Sequence, residues 1–227
     1  HRCVTFDSRG FCRSPDTSGE ALVHFIADLA ALIDHLDLKG VSLVAQSMGG
    51  RAALAYAVQK PDRVSALVMA STWGSFDWPE QWQKSKSIGA RPSGAFEAGP
   101  IKGLSAAFQR EKPELTYLNM QIAGANRAPQ PALGGAQPGG PTLEAVRALK
   151  VPLLCIAGEE DAVFPKPLVQ DFAGVVPGAE CHTVSGAGHS VYYEQPTRFN
   201  ELVLGFLSRH TGGVKLDTGV VNQCGCT

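Results

Sequence analysis

Ser47, Asp161 and His189 are the residues of this chain whose types and surroundings could do covalent chemistry together. Ser47 stands in Val41-Ser-Leu-Val-Ala-Gln-Ser47-Met-Gly-Gly-Arg-Ala-Ala-Leu. There an apolar, β-branched run meets a serine flanked by small residues, and a helix-forming run follows. A serine on so tight a strand-to-helix turn has a strained backbone, so its close neighbours must be small, as Ala45, Gly49 and Gly50 are. The turn lifts the hydroxyl clear of a sheet and aims the unpaired N–H groups of the helix start at the same spot. One element thus offers a nucleophile and part of a site for negative charge. A plain helix N-cap is the simpler reading of the same serine.

A hydroxyl is a poor nucleophile without a base, and the base needs an acid to orient it. Gly158-Glu-Glu-Asp161-Ala-Val-Phe-Pro165 follows the strand-like run Leu153–Ala157, and Gly186-Ala-Gly-His189 follows the last strand-like run. Both loops fall at the C-terminal edge of a parallel sheet, where ligands bind in open α/β folds. A histidine on a Gly-rich loop after the last strand is hard to explain as core packing, which makes His189 the base. Glu159 and Glu160 compete with Asp161 for the acid, and the motif offset favours Asp161. His24 and His35 read as ordinary helix-surface positions, and His182 reads as a structural residue in a strand. Asp7 and Arg9 are expected to form a local ion pair.

The elements that must position these residues alternate. Arg2–Phe6 reads as a buried strand. Thr17-Ser-Gly-Glu20 offers a capping box for a helix whose apolar face holds Leu22, Phe25, Ile26, Leu29, Leu32, Ile33 and Leu36, closed by Gly40. The strand into Ser47 follows, then an alanine-rich helix ending before Pro61 and a strand at Val64–Met69. Late strands are expected at Val151–Ala157 and near Glu180–Val184, with a short helix from about Pro165 between them. A last helix starts near Pro196. Strands alternating with helices imply a mostly parallel sheet covered on both faces.

Between these halves the pattern breaks down. Residues 1–72 and 142–210 read as one core, 73–141 as an inserted lid, and 211–227 as a flexible tail. Trp73, Phe76, Trp78 and Trp82 lie at the start of the insertion and are expected to pack over a pocket. Its far end, 128–141, is rich in proline and glycine and reads as a disordered surface excursion.

Composition narrows the function classes. The chain has 227 residues, is 44% hydrophobic and 18% charged, and has a formal net charge of −1. That is enough for one α/β domain with a real core, and it offers no basic excess for nucleic acid. No apolar run is long enough to span a bilayer, so no membrane partner is expected. Cys3, Cys155 and Cys181 lie in strand-like runs and read as small buried hydrophobes, and no Cys/His spacing suggests a metal. Cys224 and Cys226 sit in the tail, which has only the outline of a prenylation signal. Oligomeric state is left open, and the compartment is not read beyond a slight preference for the cytoplasm.

Four segments in order resemble the α/β-hydrolase fold superfamily, in its lid-bearing esterase and lactonase branch. They are Asp7-Ser-Arg-Gly10, the elbow at Ser47, Gly-x-x-Asp-x-x-x-Pro at Asp161 and Gly-x-Gly-His at His189. The order nucleophile, acid, base is that superfamily's order. The resemblance covers nearly all of the chain to about Arg209. It implies an α/β-hydrolase fold in which Ser47 attacks an acyl carbonyl, His189 carries the proton and Asp161 holds the imidazole. The Met48 backbone N–H would be one oxyanion donor, and Gln46, Trp73, Phe76 and Trp78 would border a small-molecule ester or lactone. No metal or organic cofactor is implied. The same triad in relatives cleaves carbon–carbon bonds of ring-fission products, and the fold also serves as a binding module.

The sequence departs from the superfamily in two places. Cys12 stands where relatives have glycine. Relatives also carry strands and a His-Gly loop ahead of the strand that opens this chain, including the second oxyanion donor. The expectation is therefore an N-terminally truncated fold, with a gap between the Arg2–Phe6 strand and the nucleophile strand.

Overall fold

The structure, a computed structural model, describes residues 1–17, 19–89, 101–125 and 136–211. Four strands, β1 (Val41–Gln46), β2 (Val64–Ala70), β3 (Leu153–Gly158) and β4 (Glu180–Val184), form one all-parallel sheet in the order β1-β2-β3-β4. Each strand is followed by a helix. These are α2 (Gly49–Gln59), α3 (Pro79–Gly89), α7 (Lys166–Val175) and α9 (Pro196–His210), with α1 (Ala21–His35) ahead of β1. The short helices α4 (Ala106–Glu111), α5 (Pro113–Ala125) and α6 (Leu143–Arg147) lie between β2 and β3, and α8 (Val191–Glu194) precedes α9.

The period-2 alternation of β2 and β3 sorts the core into two layers. Leu67, Met69, Leu153 and Cys155 face α1, α2 and α7, while Ala66, Val68, Leu154 and Ile156 face Val203, Phe206 and Leu207 of α9. Both central strands are buried on both faces, as a parallel sheet between helices requires. Full burial of one side chain of the size of Phe172 or Phe206 is favoured by about 1.5–3 kcal/mol.

The chain departs from the sequence expectations at its start. Residues 1–8 carry no regular secondary structure, and Val4 and Phe6 are 42% and 48% exposed. Val4 does not pair with Leu43: β1 pairs with β2 on one side and with no other strand among the described residues. An extended segment with no neighbouring ladder leaves its polar backbone to water. The expected Asp7–Arg9 pair is replaced by two others. Arg9 makes a bidentate pair with Asp28 of α1, at 2.6 and 2.8 Å, and Asp7 pairs with Arg13 at 3.1 Å. The α1 start is served by Asp16, whose carboxylate accepts the Ala21 N–H at 3.1 Å, and the N-cap position falls on Glu20 without a side-chain cap. The helix stops at Asp37, which takes φ +45°, three residues ahead of Gly40. Of the strand cysteines, Cys155 is buried, which pushes its thiol up, whereas Cys3 and Cys181 are exposed.

The insertion leaves and rejoins the core at neighbouring points. The Gln137 N–H donates to the Ser75 carbonyl at 2.7 Å, its side-chain amide donates to the Leu22 carbonyl at 2.5 Å, and Asp77 bridges to Thr142. Gln137 and Pro141 are buried, whereas Ala136, Pro138 and Gly139 are exposed. The Pro/Gly-rich residues 128–135 and the tail beyond Thr211, with Cys224 and Cys226, lie outside the described residues.

One close approach at the sheet's C-terminal edge depends on a single glycine. A Cβ on Gly158 would lie 1.9 Å from the Gly188 carbonyl oxygen and 2.7 Å from that of Ala187. Gly158→Ala is expected to destabilise the fold by roughly 2–3 kcal/mol in urea denaturation, because the obstacle is backbone. At the far end, Arg209 of α9 donates to both oxygens of Glu180 on β4, at 2.8 and 2.7 Å. That bond holds the Glu180 carboxyl below its usual range. A depressed folded-state pKa adds stability above the unfolded value and loses it as pH falls. Arg209→Gln should thus cost less than about 1 kcal/mol at neutral pH, the pair being partly exposed, and nothing well below about pH 4.

Candidate active site

Ser47 is the first residue after β1 and sits at φ +50°, in the left-handed region that non-glycine residues rarely adopt. Its N–H donates to the Ala70 carbonyl at 3.0 Å, which extends the β1–β2 ladder one step beyond the strand. The turn then enters α2 with Met48 as N-cap, and the Gly50 N–H closes back on the Ser47 carbonyl at 3.0 Å. The two glycines differ in role. A Cβ on Gly50 would meet Thr72 Cγ2 at 2.5 Å and Met69 Cε at 3.0 Å, whereas one on Gly49 would come no closer than 3.9 Å to Ala45. The close approach that fixes the turn is therefore at Gly50. Ser71, at the end of β2, mirrors Ser47 with φ +50°, and its buried hydroxyl has no hydrogen-bond partner among the described residues.

Asp161 and His189 meet. The imidazole Nδ1 lies 3.0 Å from Asp161 Oδ2 and 3.2 Å from Oδ1. The carboxylate has no exposed side-chain surface, and the imidazole keeps 11%. Asp161 Oδ1 also accepts the N–H groups of Val163 at 2.8 Å and Phe164 at 2.7 Å, so the turn after β3 satisfies the buried oxygens. With an acceptor against Nδ1, the neutral ring carries its hydrogen there and leaves the Nε2 lone pair available. The Phe164 ring stacks on the imidazole at 5.9 Å between centroids and closes one face. Of the competing acids, Glu159 pairs with Lys166 at 3.7 Å, and the Glu160 N–H donates to the Ala187 carbonyl at 2.9 Å. His24 is half-buried on α1, His35 is exposed, and His182 lies 3.9 Å from Glu180.

Gln46 joins the two halves of the site. Its amide donates to the His189 carbonyl at 3.2 Å, so the residue before Ser47 grips the residue opposed to it across the sheet edge. Its place is therefore between site elements. The aromatic residues of the segment after β2 pack against one another. Trp73, Phe76 and Trp78 are 1%, 0% and 9% exposed and pack with Trp82 and Phe172. Rings so fully covered by one another form part of the core cluster. Cys12 takes φ +44°, in the left-handed region that favours glycine.

Glu194 was not singled out in the sequence. It is buried between tyrosine and glutamine, and its carboxylate accepts the Gly188 N–H at 2.9 Å and the Ser105 N–H at 2.7 Å. The one local signal is an acid five residues after His189, on the inner side of a turn where solvated charge would face outward.

Comparison with known proteins matches these features to one family. The alpha/beta hydrolase fold family profile matches residues 1–196. A thermophilic esterase from Thermogutta terrifontis superposes with a TM-score of 0.67 at 26% identity, over 90% of this chain and 79% of that one. Est816, described as an N-acyl homoserine lactone degrading enzyme, superposes with a TM-score of 0.66 at 27% identity, over 88% and 80%. A 2-hydroxy-6-oxononadienedioate/2-hydroxy-6-oxononatrienedioate hydrolase of Pseudomonas sp is 28% identical over 92% of this chain and 78% of its own length. With a strained serine after the first strand and a carboxylate–imidazole pair at the same sheet edge, the chain belongs to the alpha/beta hydrolase fold family.

Proposed function

We propose that this protein is a serine hydrolase that cleaves a small carboxylic ester or lactone through an acyl-enzyme formed on Ser47. The observation that carries this reading is the His189–Asp161 pair at 3.0 Å, linked through the Gln46 amide on the His189 carbonyl to the end of β1, where the next residue is a serine at φ +50°. The left-handed turn at Ser47 sits between β1 and the start of α2, where presenting a side chain at the sheet edge has a use for a nucleophile. The esterase and lactone-degrading relatives support the substrate class.

In this reading His189 Nε2 takes the Ser47 proton as Oγ attacks the carbonyl carbon. Asp161 keeps the hydrogen on Nδ1 and stabilises the imidazolium that forms. The tetrahedral oxyanion is met by the Met48 N–H at the α2 start, a type of donor worth about 2.7–4 kcal/mol in the transition state. His189 then returns the proton to the leaving alcohol. Water, deprotonated by the same imidazole, attacks the acyl-enzyme and releases the acid. No metal or organic cofactor takes part in these steps. The partner is the small-molecule substrate, and among the described residues no helix is long and apolar enough to cross a membrane.

A second reading is supported by the 2-hydroxy-6-oxo-dioate hydrolase relative: hydrolytic cleavage of a carbon–carbon bond in a vinylogous diketone by the same three residues. Turnover of such a diketone in preference to p-nitrophenyl esters and acyl lactones would select it.

The direct test is intact-mass labelling with a fluorophosphonate. A single adduct on Ser47 is expected, absent in Ser47→Ala. Asp161→Asn should lower kcat on a p-nitrophenyl ester by about 100- to 10,000-fold while the fold melts at a similar temperature. Labelling at another residue, or undiminished turnover by Ser47→Ala, would sink the assignment.

A further inference from the structure

Among the described residues two acids are buried, Asp161 and Glu194. The first is explained by His189. The second faces no cation in the contacts of its carboxylate: one oxygen accepts the Gly188 N–H at 2.9 Å, and the other accepts the Ser105 N–H at 2.7 Å. Gly188 is the residue before His189. Ser105 belongs to the insertion, where its hydroxyl caps α4 by accepting the Phe108 N–H at 3.1 Å.

The backbones that donate these N–H groups are in direct contact. A Cβ on Gly188 would lie 2.6 Å from Ser105 N and 2.9 Å from the Leu104 carbonyl carbon. On the other side of His189, the Ser190 N–H donates to the Gly103 carbonyl at 3.1 Å. Residues 103–105 and 188–190 therefore lie against each other with the candidate base in the middle, and two buried N–H donors converge between them. Two donors cannot satisfy one another. A carboxylate, all acceptor, can satisfy both, whereas an amide presents a donor to one of them. Desolvation pushes the Glu194 carboxyl upward, and the backbone N–H groups of Ser105 and Gly188 oppose that shift.

We propose that Glu194 is a positioning residue: by taking one N–H from each backbone it clamps residues 103–105 of the insertion onto the His189 loop and so sets where the imidazole stands relative to Ser47. The proposal rests on the reading of His189 as the base. The insertion then acts on the chemistry through the base's backbone, without any residue of it needing to touch the reacting atoms.

The test compares Glu194→Gln, Glu194→Asp, Tyr193→Phe and His189→Ala in the full chain on p-nitrophenyl acetate, with hydrogen exchange over residues 103–106 and 187–190. Glu194→Gln should lower kcat by about tenfold or more with KM within about threefold, since a misplaced base slows chemistry more than binding. Exchange should rise at both segments together. Glu194→Asp, still all acceptor, should recover part of the loss. Tyr193→Phe cuts a different tie from the same short helix, the phenol hydroxyl to the Leu115 carbonyl at 2.8 Å. It should leave kcat within about twofold. Wild-type kcat in Glu194→Gln, or an equal loss in Tyr193→Phe, overturns the clamp. If Glu194→Gln shows no cooperative melt, Glu194→Asp decides: a lowered kcat at unchanged KM supports the clamp, and wild-type kcat overturns it. Undiminished turnover by His189→Ala would overturn the base assignment, a failure distinct from loss of the clamp because the exchange data stand apart from it.

Discussion

A carboxylate with no exposed side-chain surface and an imidazole 3.0 Å away set the terms for the C-terminal edge of this sheet. A buried carboxylate is costly unless its oxygens are satisfied, and here the Val163 and Phe164 N–H groups supply what the imidazole does not. The turn after β3 must therefore fold back on its own acid, and the loop after β4 must bring His189 to it. That second loop can approach only because Gly158 lacks a side chain, whose Cβ would meet the Gly188 and Ala187 carbonyl oxygens. The pair is thus a constraint on the turn after β3 and the loop after β4 at once, and the sheet edge is built around it.

The same logic extends outward. Gln46 reaches from the end of β1 to the His189 carbonyl, so the nucleophile strand is tied to the base loop by a side chain adjacent to Ser47. Glu194 reaches from α8 to Gly188 and to the insertion. Each tie uses a polar group in a largely buried place, where an unpaired partner would be expensive and a satisfied network is rigid. A site assembled from the ends of separate strands needs such cross-links, because the strands themselves fix only their own direction and register.

The aromatic residues of the insertion show a different division of labour. Trp73, Phe76 and Trp78 continue the core past the end of β2 and give the insertion a buried root, with Trp82 donating its indole N–H to the Phe76 carbonyl at 3.0 Å. The outer part is lighter: α5 buries none of its residues, and Tyr117 and Met120 are 61% and 51% exposed. This segment is therefore held at its root and along the His189 loop, and α5 is tied back by the Tyr193 hydroxyl, which donates to the Leu115 carbonyl.

Periodicity and punctuation in the sequence determined much of the architecture. The apolar run Val64–Ala70, the three- and four-residue spacing around Leu29 and Ile33, and the small residues around Ser47 each specify local structure through chain-local sterics and burial, so these elements and the strand-to-helix turn at Ser47 were legible. So was the sheet edge on which Asp161 and His189 would lie, because a strand's end is a local fact. What tertiary structure alone decided were the choices among competing partners. Arg9 chose Asp28 over Asp7, Asp16 took the cap that Thr17 offered, and Trp73, Trp78 and Trp82 packed edge to face around one another. Arg2–Phe6 has the composition of a strand and is not one, because a strand exists only with a neighbour to complete its hydrogen bonds. Glu194 was invisible for the same reason: its two partners come from residues 6 and 89 positions away, and no spacing in the chain marks two N–H donors that converge only when the fold has closed.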